Sequence, residues 1–163
     1  MNAEEARAMQ SASRASGRRI IEEFHERYHH VFEHLLGLAS SGQLGTLTSL
    51  EAVFNHTVPD TPGEFRRIPA MRGGALLELG RYPVHWCRSL MGQEPEVIDA
   101  QALVASIGCD EEMHANMKFP SGVLARVETR MTEGSRLRLA SCVIDACAPL
   151  SPFACTVIHF HST

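Results

Sequence analysis

Glu78, Tyr82 and His85 are spaced four and three residues apart within GGALLELGRYPVHW (residues 73–86), a run that is otherwise largely apolar. On a helix those intervals put three groups able to hold or pass a proton on one side. Arg81 and Arg88 extend the stripe, between apolar Leu76, Leu77, Leu79, Val84, Trp86 and Leu90. A tyrosine exchanges protons near neutral pH only when its pKa, about 10 in water, is brought down, and a neighbouring cation does that. Arg81 or a protonated His85 could supply the charge. Glu78, one turn earlier, could orient a hydroxyl or hold a substrate. Pro83 lies inside the run, and an interior proline kinks a helix and frees a carbonyl, here the one around Leu79. The bland reading of the same spacing is a solvated helix face.

FHERYHHVFEH carries His25, His29, His30 and His34. His25 and His29, with Glu22 or Glu26, have the look of metal ligands at helical spacing. The segment crosses from strand to helix, however, and no H-E-x-x-H pattern or matching Cys/His pair accompanies it. Polar or substrate-facing histidines are therefore expected, and no metal. The five cysteines (Cys87, Cys109, Cys142, Cys147, Cys155) are odd in number and scattered, without C-x-x-C. That usage fits reduced, structural thiols in a cytoplasm, the last three buried in an apolar C-terminal region. No G-x-G-x-x-G follows a strand and no Walker A motif occurs, and Gly73-Gly74 reads as a turn or close-approach pair. Lys118 is the only lysine.

The elements that must position these residues follow from hydrophobic period and punctuation. Asn2 and Glu5 resemble a capping box opening a first helix. RRIIEEF reads as a short strand, HHVFEHLLGLASSG as a helix and TLTSLEAVFNHT as a strand. VPDTPGEFRRIPAMRGG, with three prolines and three glycines, is a loop long enough to suspect a function. A helix from about Gly74 to Leu90 follows, then the strand EPEVIDAQALVAS. EMHANMKF and VLARVETRM flank PSG as a β-hairpin, and SRLRLASCVIDAC is a further strand. This order gives the fold class α+β: a mainly antiparallel open sheet with helices packed on one face. With 163 residues the chain is expected to form one domain. A net charge of −4 offers no basic surface to nucleic acid. No run of 18 apolar residues suggests a membrane span, and the acidic start shows no secretory segment.

Four ordered stretches resemble the C-terminal domain of the Gfo/Idh/MocA family of NAD(P)-dependent oxidoreductases. NAEEARAM is similar to the segment that follows the family's Glu-Lys-Pro motif. IIEEFHERYHHVFEHLLGLASSGQLGTLTSLEAVF resembles its strand, substrate-facing F-H-x-R-Y-H-P turn, helix and next strand. FRRIPAMRGGALLELGRYPVHWCRSLMGQEPEV resembles its G-G-G-A-L-x-D-L-G-x-Y-P stretch, and DEEMHANMKFPSGVLARVET its sheet hairpin. The resemblance implies a domain over residues 1–138 and a divergent or truncated tail over 139–163. It implies that Tyr82 is the catalytic proton-exchanging group, with Glu78 at the position of the family's aspartate. It also implies that Phe24, Arg27 and His29 border the substrate pocket, with Arg81 and His85 beside them. The substrate would be small and polar, a sugar-like or diol CH–OH group, as in the dihydrodiol and sugar dehydrogenases. The departures are specific. No Rossmann domain, glycine fingerprint or catalytic lysine lies in this chain, so no cofactor-binding residue is expected in it. NAD(P) would have to come with a Rossmann domain supplied elsewhere, as a separate chain or an upstream part of the gene. Glu78 replaces Asp, Arg72 stands at the first glycine of the triplet, Arg81 replaces a small or apolar residue, and His30 replaces the turn proline. The expectation is a substrate-binding and dimerisation domain, inactive alone, homodimeric through the open sheet. The alternatives are a non-catalytic dimerising or small-molecule-binding module, or a cofactor-free lyase or isomerase reusing the pocket.

Overall fold

Alternation of apolar and polar residues selects the strands. The computed structural model describes residues 2–134, 136–144 and 154–160. Within them β1 (Thr46–Asn55), β2 (Glu96–Val104), β3 (Asp110–Lys118), β4 (Leu124–Arg130), β5 (Arg136–Ile144) and β6 (Ala154–Phe160) form one sheet in the order β2-β3-β4-β1-β5-β6. Neighbours are antiparallel except β1 and β4, which run parallel with Ala52 opposite Val127. The sheet is therefore mixed at its centre, because β4 reaches β1 only after a helix and the β2–β3 pair have intervened.

Two helices cover one face: α2 (His30–Ser40) and α3 (Arg81–Met91). Phe32, Leu35 and Trp86 from these helices pack on Leu50, Ala52 and Val127 of the sheet, all buried. Burying each large side chain contributes about 1.5–3 kcal/mol. The first helix, α1 (Ala3–Ser16), buries no residue and is stabilised locally. Its start is a capping box, with Glu5 N–H donating to Asn2 Oδ1 (2.9 Å) and Asn2 N–H to Glu5 Oε2 (3.0 Å). No helix among the described residues is long and apolar enough to cross a membrane.

Two expectations about elements change. RRIIEEF is not a strand: residues 18–24 run without joining the sheet. Ile20 and Ile21 are adjacent, so on a strand they would point to opposite faces, and both are exposed instead. The long loop is ordered by short 3-10 turns at Phe65–Arg67 and Pro69–Met71. Buried Arg67 ties it down, donating twice to the Val58 carbonyl (3.0 and 2.8 Å) and pairing with Glu111 of β3. Burial pushes the Cys87 thiol up to about 12, so it is inert near neutral pH. The expectation for Cys142, Cys147 and Cys155 lies outside the residues whose side chains are described.

Candidate active site around Tyr82

The helix bearing the polar stripe starts on a carboxylate borrowed from the sheet. Leu76 N–H donates to Asp110 Oδ2 at 2.6 Å, capping the positive end of the helix. Gly74 makes room for it: its φ is +139°, and a Cβ there would overlap the Asp110 side chain. Arg72 has φ +64°, a left-handed conformation that glycine adopts without strain, which is the physical reason a glycine suits that position.

Leu76–Gly80 then forms a wide π turn, with Arg81 N–H reaching back five residues to the Leu76 carbonyl. The turn ends three residues before Pro83, which has no N–H to offer the preceding carbonyls. At Gly80 the helix sits close on the sheet, since a Cβ there would come within 2.9 Å of Met113 Cε. The extra residue in the turn shifts the phase of the stripe. Tyr82 and His85 stay together on α3, whereas Glu78 is set toward the 3-10 loop. There it adds to the field, led by the Glu64 hydrogen bond, that raises the Arg66 guanidinium. The Glu78 carboxylate makes no hydrogen bond or ion pair with a described residue.

Tyr82 is enclosed by rings. Phe24 (5.9 Å), His25 (5.8 Å) and Phe54 of β1 (5.3 Å) meet it edge-on. Arg81 lies with its guanidinium carbon 4.8 Å from the ring centroid, and its Nη2 donates to the Tyr82 hydroxyl oxygen at 3.1 Å. Its Nη1 donates to Glu22 at 2.8 Å. Burial works against the Arg81 charge, but Tyr82 and Glu22 together outweigh it and raise the guanidinium above its ordinary value. His85 stacks on Phe24 at 4.2 Å, with Ser89 Oγ 3.4 Å from its Nε2. Burial lowers its pKa, Arg27 and Arg88 add to that, and Glu26 opposes it. Arg27, His85, Arg88 and Ser89 line a cavity of about 360 Å³.

The sequence-predicted site residues thus divide. Phe24, Arg81, Tyr82 and His85 come together, and Arg27 joins His85 at the cavity. His29 is engaged at the start of α2, where its Nδ1 accepts from Val31 N–H (3.3 Å) and its ring stacks on His30 (4.4 Å). His25 and His29 therefore belong to different environments, and no three His, Cys, Asp or Glu side chains converge on a metal position among the described residues. Several participants were not assigned to the pocket by sequence reasoning, Ser89 of the cavity among them. Phe54 looks like any core strand residue. Glu22 and Glu26 entered only as metal-ligand companions, yet Glu22 anchors Arg81 and both Glu26 carboxylate oxygens are buried without a partner. The turn that most resembles an anion cradle, at Gly73-Gly74, faces the Asp110 carboxylate, so these residues do not fit the phosphates of a dinucleotide.

Comparison with known proteins extends this picture. The family model described as GFO/IDH/MocA C-terminal domain matches residues 32–142, more than half of the chain. D-xylose 1-dehydrogenase (NADP(+)) 2 of Haloferax volcanii is 28% identical over 128 residues, 78% of this chain and 39% of that protein. Trans-1,2-dihydrobenzene-1,2-diol dehydrogenase of Sus scrofa is 30% identical over 125 residues, 76% of this chain and 36% of that protein. This chain thus matches well under half the length of these two relatives. The aldose-aldose oxidoreductase of Caulobacter crescentus shares the fold with a TM-score of 0.75 at 20% identity, covering 95% of this chain and 51% of that one.

Proposed function

The chain belongs to the Gfo/Idh/MocA family as its C-terminal domain, and from that premise we propose that it is the substrate-side part of an NAD(P)-dependent oxidoreductase acting on a sugar-like or diol CH–OH group. Tyr82 exchanges the proton of the substrate oxygen. The observation that carries the reading is the Tyr82 hydroxyl, bonded to Arg81 within a cradle of Phe24, His25 and Phe54. Three rings pack on the Tyr82 ring, and a cation beside the hydroxyl suits an oxygen that must carry charge briefly. His85 and Arg27 form the polar wall of the neighbouring cavity. Glu78, set apart by the π turn, acts on the loop side of the substrate rather than on the Tyr82 hydroxyl.

The nicotinamide cofactor is a partner of this domain, bound by a nucleotide-binding domain whose fingerprint these residues do not carry. It supplies the redox chemistry, while this chain binds and orients the substrate. The isolated chain is accordingly without dehydrogenase turnover. A second copy covers the open face of the sheet, which carries charges of both signs such as Arg126, Glu128 and Arg138. In an enzyme assembled with a nucleotide-binding domain, Tyr82→Phe is expected to lower kcat by about 10²–10⁴-fold with an unchanged circular dichroism spectrum. Wild-type turnover by that variant would take Tyr82 out of proton exchange.

A further inference from the structure

We propose that Arg81 is a positioning residue that sets the polarity of the Tyr82 hydroxyl, making the phenol oxygen an acceptor toward Arg81 and leaving its proton to a ligand. The inference deepens the proton-exchange reading and rests on it for the ligand's role, but the polarity itself can be read without any turnover. A guanidinium carries N–H donors and no acceptor, so in the 3.1 Å contact the phenol oxygen can only accept. Among the described residues the hydroxyl makes no other hydrogen bond, so the phenol proton has no acceptor there.

The guanidinium is held at two points, by Glu22 at 2.8 Å and by Tyr82, while its Nε–H is buried with no partner. A lysine would bring charge to the phenol without this two-point hold. Glu22 sits on the extended segment 18–24, which joins no ladder, so one use of that segment is to hold Arg81 against Tyr82. In exchange with a substrate oxygen, the Tyr82 O–H bond breaks as an O–H bond forms on the substrate. The electron pair stays on the phenol oxygen, facing the Arg81 charge.

Tyr28 is the other of the two tyrosines and is exposed, so Tyr28→Phe leaves Tyr82 as the sole phenol of the 163-residue chain. The intensity ratio of the tyrosine Fermi doublet in the Raman spectrum is high for a phenol that accepts a hydrogen bond and low for one that only donates. The expected result is an acceptor-type ratio in Tyr28→Phe, lost when Arg81→Met is added and partly lost when Glu22→Gln is added. Circular dichroism identifies folded variants. Glu22→Gln lies on an exposed segment and keeps the test open should Arg81→Met fail to fold. A donor-type ratio in Tyr28→Phe, or a ratio unmoved by Arg81→Met in a folded chain, overturns the proposal. An acceptor-type ratio together with a fully active Tyr82→Phe enzyme removes the proton-exchange reading and leaves the Arg81 assignment standing.

Discussion

On the helix-covered face of the sheet, Leu50 and Ala52 of β1 and Val127 of β4 are buried beneath Phe32 and Trp86. On the opposite face Glu51 of β1 and Arg126, Glu128 and Arg130 of β4 are charged and flank the buried Val53. Arg130 meets Glu128 (3.1 Å), Glu133 (2.8 Å) and Glu112 (3.6 Å), Arg126 and His114 also face Glu128, and Arg138 meets Glu51 at 3.3 Å. One register therefore builds two surfaces of different physics. The first removes apolar area from water and holds α3, and with it Tyr82, in place. The second balances charges over a face that also buries Val53, and among them only an exposed one such as Arg126 is individually worth little.

If that contrast is right, the largest effect comes from the covered face. Trp86→Ala is expected to cost about 3–5 kcal/mol in denaturant unfolding, as a cavity opens between α3 and the sheet. A loss under about 1 kcal/mol would mean that α3 is not seated by this contact. Arg126→Glu tests the open face by reversing an exposed charge, 60% accessible, that faces Glu128. It is expected to cost only about 1 kcal/mol in folding yet to shift sedimentation from two chains to one. A wild-type chain sedimenting as a single copy would refute the proposal that a second copy covers this face. The smallest effect belongs to His85, at the border of core and cavity. Its folded pKa is lowered by burial, so the unfolded chain takes up its proton at higher pH than the folded chain does. This histidine's share of stability is complete above the ordinary value of 6.5 and declines as pH falls through the folded value. The thermal midpoint should therefore fall less between about pH 7.5 and about pH 5 in His85→Gln than in the wild type. Equal slopes would place His85 in water.

Much of the scaffold was legible in the chain. The strands at 46–55, 96–104, 110–118 and 124–130 follow from alternation, and α2 and α3 from helical spacing with glycines behind them. Tyr82 and His85 were legible as a pair because three residues on one helix are neighbours whatever the surroundings. RRIIEEF misled because β-branched composition suggests a strand, while a strand also requires a free edge to pair with. The step from Glu78 to Tyr82 was read as unbroken α-helix, and the π turn ahead of Pro83 breaks it. Arg72 carried its own signal, a non-glycine where a glycine suits, and the positive φ explains it.

Sequence alone determined the α+β class, the family, and which side chains on α3 can handle a proton. These rest on period and side-chain chemistry, which act between near neighbours. Only the tertiary structure decided which of those side chains meet a partner. Glu22 reaches Arg81 across 59 residues and Asp110 reaches Leu76 across 34, and Phe24 and Phe54 close on Tyr82 from separate segments. No local spacing encodes such contacts: they form when burial of Trp86 and Phe32 docks the helices on one face of the sheet, and that docking turns a polar stripe into a held phenol.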